Sequence, residues 1–151
     1  MRRLCMPEKH RAIVMYRDDV EKNVRYEKQL SHQFGIDVHT CGSESLVMSF
    51  VRIPPGHRSR AHYHIKADLG QYFIKGRGKY YIGCGVEGEE STYDLVPGTF
   101  IFIPKGVIHI IENTGDEDIE SIACYGNVGS GEETGKFYCE GPLAEQRPTE
   151  D

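Results

Sequence analysis

The stretch Gly98-Thr99-Phe100-Ile101-Phe102-Ile103-Pro104-Lys105-Gly106-Val107-Ile108-His109-Ile110-Ile111-Glu112-Asn113 decides the fold. Two runs of β-branched and aromatic residues, 99–103 and 107–112, flank Pro104-Lys105-Gly106. Such residues suit a pleated, half-buried surface. Proline followed two residues later by glycine sets a tight turn between the runs. The second run ends at Asn113-Thr114-Gly115-Asp116, another turn signal. The unit reads as strand, turn and strand, with His109 carried inward on the second strand.

Outward from this unit the pattern repeats. Residues 46–53 form a β-rich run that stops at Pro54-Pro55-Gly56. Residues 60–65, 71–75, 79–82 and 119–125 read as further strands, broken at Gly76-Arg77-Gly78, Gly83-Cys84-Gly85 and Gly126. No segment of this region has a helical period. Many short antiparallel strands must close or stack to remove their edges, so the expected fold is all-β, a jelly-roll barrel. The expected organisation is an N-terminal arm over residues 1–40, the barrel over 41–128, and an acidic, Gly- and Pro-containing tail over 129–151, partly draped on the barrel. Within the arm, Ala12-Ile13-Val14-Met15-Tyr16 reads as a short strand that joins the barrel or a dimer partner.

Composition bounds the function. The 151 residues carry 18 basic and 23 acidic side chains, a net charge of −5, which argues against a nucleic-acid partner. No apolar run approaches the length of a membrane span. The start, Met1-Arg2-Arg3-Leu4-Cys5-Met6-Pro7, has no apolar run behind its charges and does not read as a secretory signal. The five cysteines show no C-x-x-C spacing, so reduced thiols in a cytoplasmic protein are expected. The glycine pairs at 76/78 and 83/85 are hairpin turns rather than phosphate loops, since no helix follows them.

The chemistry lies in the histidines. In His62-Tyr63-His64 the two rings are two residues apart, which puts both on one face of a strand. His109 supplies a third imidazole from a neighbouring strand. Imidazole suits zinc, copper, iron and nickel, and three protein ligands leave coordination positions open to water or substrate. His10, His32 and His39 lie outside the dense strand region and read as solvated. His57 sits in a turn, out of phase with His62.

At this point the sequence resembles the cupin family. The family's second motif, G-x5-P-x-G-x2-H-x3-N, is filled at every specified position by Gly98, Pro104, Gly106, His109 and Asn113. The first, G-x5-H-x-H-x3,4-E-x6-G, is matched by Gly56, His62, His64 and Gly76, but Leu69 stands where the glutamate is expected. The resemblance implies a double-stranded β-helix barrel and a metal held by His62, His64 and His109 without the fourth ligand.

Two neighbours could compensate for Leu69. Asp68 has outward strand parity unless a bulge intervenes. Gln71 shares the face of Leu69 and is expected in the pocket, as a ligand or in contact with substrate. Phe73 shares the parity of Leu69 and Gln71, and Phe102 that of Pro104; both are expected to line an apolar pocket or to pack in the core.

Some cupins work with a three-histidine centre, among them iron dioxygenases that act on thiols and diketones. A neutral ligand set leaves the metal electrophilic, so an anionic or enolisable substrate is implied. Arg52, Arg58, Arg60 and Lys75 are nearby cations that could assist. The expected cofactor is one divalent transition metal per chain, iron first, with zinc, nickel, manganese or copper as alternatives. The expected function is a dioxygenase acting on a small molecule. The alternatives are a non-redox lyase, isomerase or cyclase, with Tyr72, Tyr80 and Tyr81 as undistinguished candidate bases, and a small-molecule binder without turnover. The family also implies a homodimer.

Overall fold

Strict alternation of burial along residues 46–53 and 119–126 builds the centre of the molecule. In a computed structural model that describes residues 12–24, 29–83, 91–139 and 146–148, these are strands β2 (Leu46–Ile53) and β9 (Ile119–Gly126). They pair antiparallel from Leu46↔Gly126 to Ile53↔Ile119. Val47, Ser49, Val51 and Ile53 turn inward from β2, and Ile119, Ser121, Ala123 and Tyr125 from β9.

Around this pair lie β1 (Ser31–Ile36), a short helix α1 (Val38–Cys41), β3 (His62–His64), β4 (Leu69–Lys75), β5 (Gly78–Ile82), β6 (Ser91–Leu95), β7 (Phe100–Ile103), β8 (His109–Asn113), β10 (Lys136–Cys139) and β11 (Gln146–Pro148). They form two antiparallel sheets, ordered β1-β2-β9-β4-β7 and β11-β10-β3-β8-β5-β6. The core between them takes Val51, Leu69, Phe73 and Ile119 from the first sheet and Tyr80, Leu95 and Ile111 from the second. The architecture is an all-β jelly roll.

Two turns show why the motif glycines are there. Gly106 has φ +79°, and its N–H donates to His64 O at 2.8 Å, which ties the Pro104 turn to the strand carrying two of the histidines. Gly76 has φ +87°, and a Cβ there would sit 2.7 Å from Asp118 O and Ile119 Cα. Asn113 closes the same end. Its amide donates to Ile53 O at 2.9 Å and Glu117 O at 2.8 Å, and its carbonyl accepts from Gly115 N at 3.0 Å.

The structure departs from the sequence reading in three places. Residues 12–16 form no strand, because β1 already pairs with the free edge of β2. Instead Ile13, Val14 and Met15 line an exterior groove with Phe50 and Ile122. The sheets also reach beyond residues 41–128, through β1 on one side and β10 and β11 on the other. Finally, Phe102 is 64% exposed and does not line the pocket. It pairs with Gly70, whereas Ile101 pairs with Gln71 and Ile103 with Leu69. Residues directly opposed across an antiparallel pair share a face, so Phe102 lies on the outer one. Its parity was counted from Pro104, which lies in the turn rather than on the strand.

Candidate metal centre

The second sheet assembles the histidines by register. His62 on β3 lies opposite His109 on β8 and opposite Tyr138 on β10. His64 lies opposite Lys136. Opposed residues share a face, so the three imidazoles converge on the sheet's inner side. The ring centroids of His62 and His109 are 4.2 Å apart, those of His62 and His64 5.4 Å, and those of His64 and His109 5.7 Å. One ring nitrogen from each lies within 4.8 Å of the others.

Hydrogen bonds fix which nitrogen faces inward. His62 Nδ1 donates to Arg60 O at 2.7 Å, and His109 Nδ1 to Val107 O at 2.9 Å, because a carbonyl can only accept. His64 Nδ1 lies 2.8 Å from Thr134 Oγ1, whose own proton goes to Gly131 O at 2.7 Å. That hydroxyl therefore accepts, and His64 Nδ1 is the donor. Each ring carries its proton on Nδ1 and presents the Nε2 lone pair. The buried Nε2 atoms of His64 and His109 have no hydrogen-bond partner. Orphaned buried acceptors are costly, and these two, together with the His62 ring beside them, form the donor set a divalent transition metal takes.

Burial keeps the rings neutral. His109 is pushed down to about 4, chiefly by desolvation. His62 is held well below the usual imidazole range by desolvation and then by the Lys136 ammonium. His64 is lowered likewise by desolvation, His109 and Lys136.

Beside the triad lies a cavity of about 40 Å³, room for only a few water molecules. Leu69, Gln71 and Ala123 wall it from the first sheet, and Tyr80 and Ile111 from the second. Leu69 thus faces the site and offers no donor. Gln71 is buried, its amide donating to Ser121 Oγ at 2.8 Å and its carbonyl accepting from Tyr80 Oη at 3.2 Å. Phe73, 1% exposed, packs in the core edge-on to Tyr80. Asp68 is held in a turn, accepting from Lys105 N at 3.0 Å.

Of the three candidate bases Tyr72, Tyr80 and Tyr81, Tyr80 borders the cavity. Burial raises its pKa far above the usual value, which removes it as a base. Tyr72 packs against Phe100 on the outer face, its ring tilted 45° to that of Phe100, and Tyr81 donates to Glu112.

The nearby cations are mostly spent elsewhere. Arg52 pairs with Glu120 and Asp118, Arg58 with Glu112, and Lys75 with Glu117. Arg60 lies over the Tyr138 ring, 3.9 Å from its centroid.

Two residues bordering the cavity were missed in the sequence. His32, read as solvated, is 9% exposed, stacks on Phe34 and borders this cavity. It pairs with inward-facing Val51 on β2. Lys136 enters from β10. The signals were present: Ser31-His32-Gln33-Phe34 alternates, and Phe137-Tyr138 follows a glycine turn. His39 is exposed, His57 lies 3.2 Å from Gln29 through Nδ1, and His10 and Cys84 fall outside the described residues.

A family profile described as "Cupin domain" matches residues 49–125. A glucose-6-phosphate isomerase of Thermococcus onnurineus is 36% identical over 69 residues, which is 44% of this chain and 36% of that protein. The chain thus spans about a third of the length of the curated relatives it matches first. Among solved structures, the polyketide cyclase RemF of Streptomyces resistomycificus aligns with TM-score 0.63 and 21% identity, over 78% of this chain and 80% of that one. A Bacillus subtilis oxalate decarboxylase aligns with TM-score 0.69 and 23% identity, over 87% of this chain and 34% of that one. At these identities the two structures share the fold alone.

Proposed function

Since the chain belongs to the cupin family, we propose that it is a mononuclear metal enzyme acting on a small anionic or enolisable organic substrate. The observation that carries this reading is the convergence of His62, His64 and His109 with every Nδ1 engaged in a hydrogen bond and every Nε2 turned inward. A divalent transition metal bound there supplies Lewis acidity and, in the case of iron, redox capacity.

The chain's own residues do the rest. Neutral imidazoles leave the site cationic and favour an anion. Gln71, oriented by Ser121 and Tyr80, offers its remaining amide hydrogen and carbonyl lone pair to a ligand in the cavity. Leu69, Ile111 and Ala123 exclude water from the same space.

Leu69 supports a dioxygenase, because a ligand set without carboxylate leaves the negative charge to be supplied by substrate. A second reading, a lyase, isomerase or cyclase without redox chemistry, is supported by the relatives, whose names are decarboxylase, cyclase and isomerase. Iron follows from the first reading. Manganese enters with the second, since the Bacillus subtilis oxalate decarboxylase has Mn(II) centres.

A homodimer and a cytoplasmic setting complete the proposal. Exposed Phe100 and Phe102 on the outer sheet support the first, and the free thiols of Cys41, Cys124 and Cys139 the second. Sedimentation as a monomer at high concentration would remove the dimer.

The deciding experiment is metal analysis of untagged protein purified without added metal, beside His62→Ala. Near-stoichiometric metal that is lost in the variant is the expected result. No metal, and none taken up on titration, would overturn the enzyme reading. Oxygen uptake with candidate acids and diketones then selects the dioxygenase, while turnover without oxygen selects the second reading.

A further inference from the structure

Ala123 is the smallest side chain in the wall of the cavity beside the triad. It lies on the central strand β9, between Ser49 of β2 and Gln71 of β4. Opposed residues share a face, so all three point into the core. The inner faces of two packed sheets stand about 10 Å apart, a gap that two medium-sized side chains close. Alanine leaves part of that gap open, and His62 and His109 of the second sheet border the same space.

The other walls are fixed. Leu69 is 3% exposed and lies opposite both Ile103 and Tyr125. Tyr80 is held by its hydroxyl on Gln71 at 3.2 Å. Interiors are packed as densely as organic crystals, so a larger cavity requires displaced core side chains. The volume is about 40 Å³, and one water needs about 10–15 Å³ of such space, which leaves room for about three non-hydrogen atoms.

We infer that the ligand taken at the open side of the metal centre is an anion of about three non-hydrogen atoms, the size of a one-carbon carboxylate, and that Ala123 sets this limit. This rests on the metal-centre reading above and narrows its substrate to the smallest acids. The ligand lies over Ala123, between the imidazoles and the Gln71 amide. Leu69 and Ile111 stop a longer chain from following it.

The test compares formate with propionate, which carry the same charge and the same carboxylate and differ by two carbons. In an unrestricted apolar site the longer acid binds tighter, about fourfold for each buried carbon. A size limit reverses that order. Protein loaded with cobalt(II) is titrated with each acid at neutral pH, read by the visible absorption of the metal. The set is wild type, Ala123→Val, Leu69→Ala and the control Cys124→Val, whose side chain leaves the same strand on the outer face. Wild type is expected to bind formate about tenfold tighter than propionate or more. Ala123→Val fills the space with a residue suited to a strand, and is expected to weaken formate about tenfold or more at unchanged cobalt content. Leu69→Ala opens the wall and is expected to bring propionate at least level with formate. Cys124→Val keeps the wild-type order.

Propionate binding as tightly as formate in cobalt-loaded wild type overturns the inference, as does a visible spectrum that neither acid changes. So does wild-type formate affinity in Ala123→Val, or an undiminished formate preference in Leu69→Ala. In each of these cases the metal centre still stands. Failure of wild type to take up cobalt overturns the metal reading and the inference with it. If Ala123→Val does not fold, the wild-type order and Leu69→Ala decide.

Discussion

Thr134 holds His64 from 70 residues away, accepting its Nδ1–H at 2.8 Å while passing its own proton to Gly131 O at 2.7 Å. The pair fixes the ring's tautomer and its direction, as an outer-shell partner of a metal ligand does. Thr134→Val keeps the shape and removes the acceptor. It is expected to weaken divalent-metal affinity by about 10- to 100-fold, with His64 still in place. Competition titration with a chelating dye checks this. Unchanged affinity would mean that Thr134 does not orient a ligand.

The metal-free protein is expected to lose stability in acid, and the sign follows from burial. His109 is pushed from 6.5 down to about 4 and His32 down to about 3, both chiefly by desolvation. Between those values and 6.5 the unfolded chain binds the protons that the folded one refuses. Stability is therefore full above pH 6.5 and falls as pH drops toward 4 for His109 and 3 for His32. The loss for His109 alone is on the order of 3 kcal/mol. Urea midpoints of metal-free protein at graded pH check the trend. A flat profile would show that these histidines are not buried neutral.

Leu69→Glu places a carboxylate in the wall of the cavity, at the position that carries the fourth ligand in the family motif. Without metal this buries an unpaired charge, and a loss of about 2–4 kcal/mol in unfolding free energy is expected. With metal, stability returns and the divalent affinity exceeds that of wild type. Thermal melts with and without cobalt(II) read both effects. A variant destabilised equally in the two conditions would show that position 69 cannot reach the metal.

Asn113→Ala removes two donors and an acceptor that pin Ile53, Glu117 and Gly115. It is expected to cost about 2–3 kcal/mol, without a direct effect on the histidine ligands. Chemical denaturation beside metal titration separates the two.

The sequence showed the fold through spacing that only one chain path satisfies. The stretch from Gly98 to Asn113 carried turn, register and ligand together, and β2 and β9 were marked by alternation along their whole length. The triad was legible because two of its members sit two residues apart on one strand. Phe102 was misread because parity propagates only along a strand, and Pro104 lies beyond the end of β7. His32 and Lys136 were missed because each lies on a strand that no motif covers. Their inward direction depends on pairing with Val51 and His64, contacts far apart in sequence that local patterns do not reveal.

The strand β10 and the turn before it have a consequence beyond this pocket. The three histidines themselves lie within residues 49–125, whereas Thr134, Lys136 and Tyr138 come from a later segment. Inheritance can therefore act on the two separately. Exchange of β10 and the turn before it among related barrels would change the groups that orient His64 while the histidine frame passed unchanged. During synthesis the order is also set: the ribosome delivers the three histidines before Thr134, so His64 stands without the acceptor of its Nδ1–H until that turn has emerged.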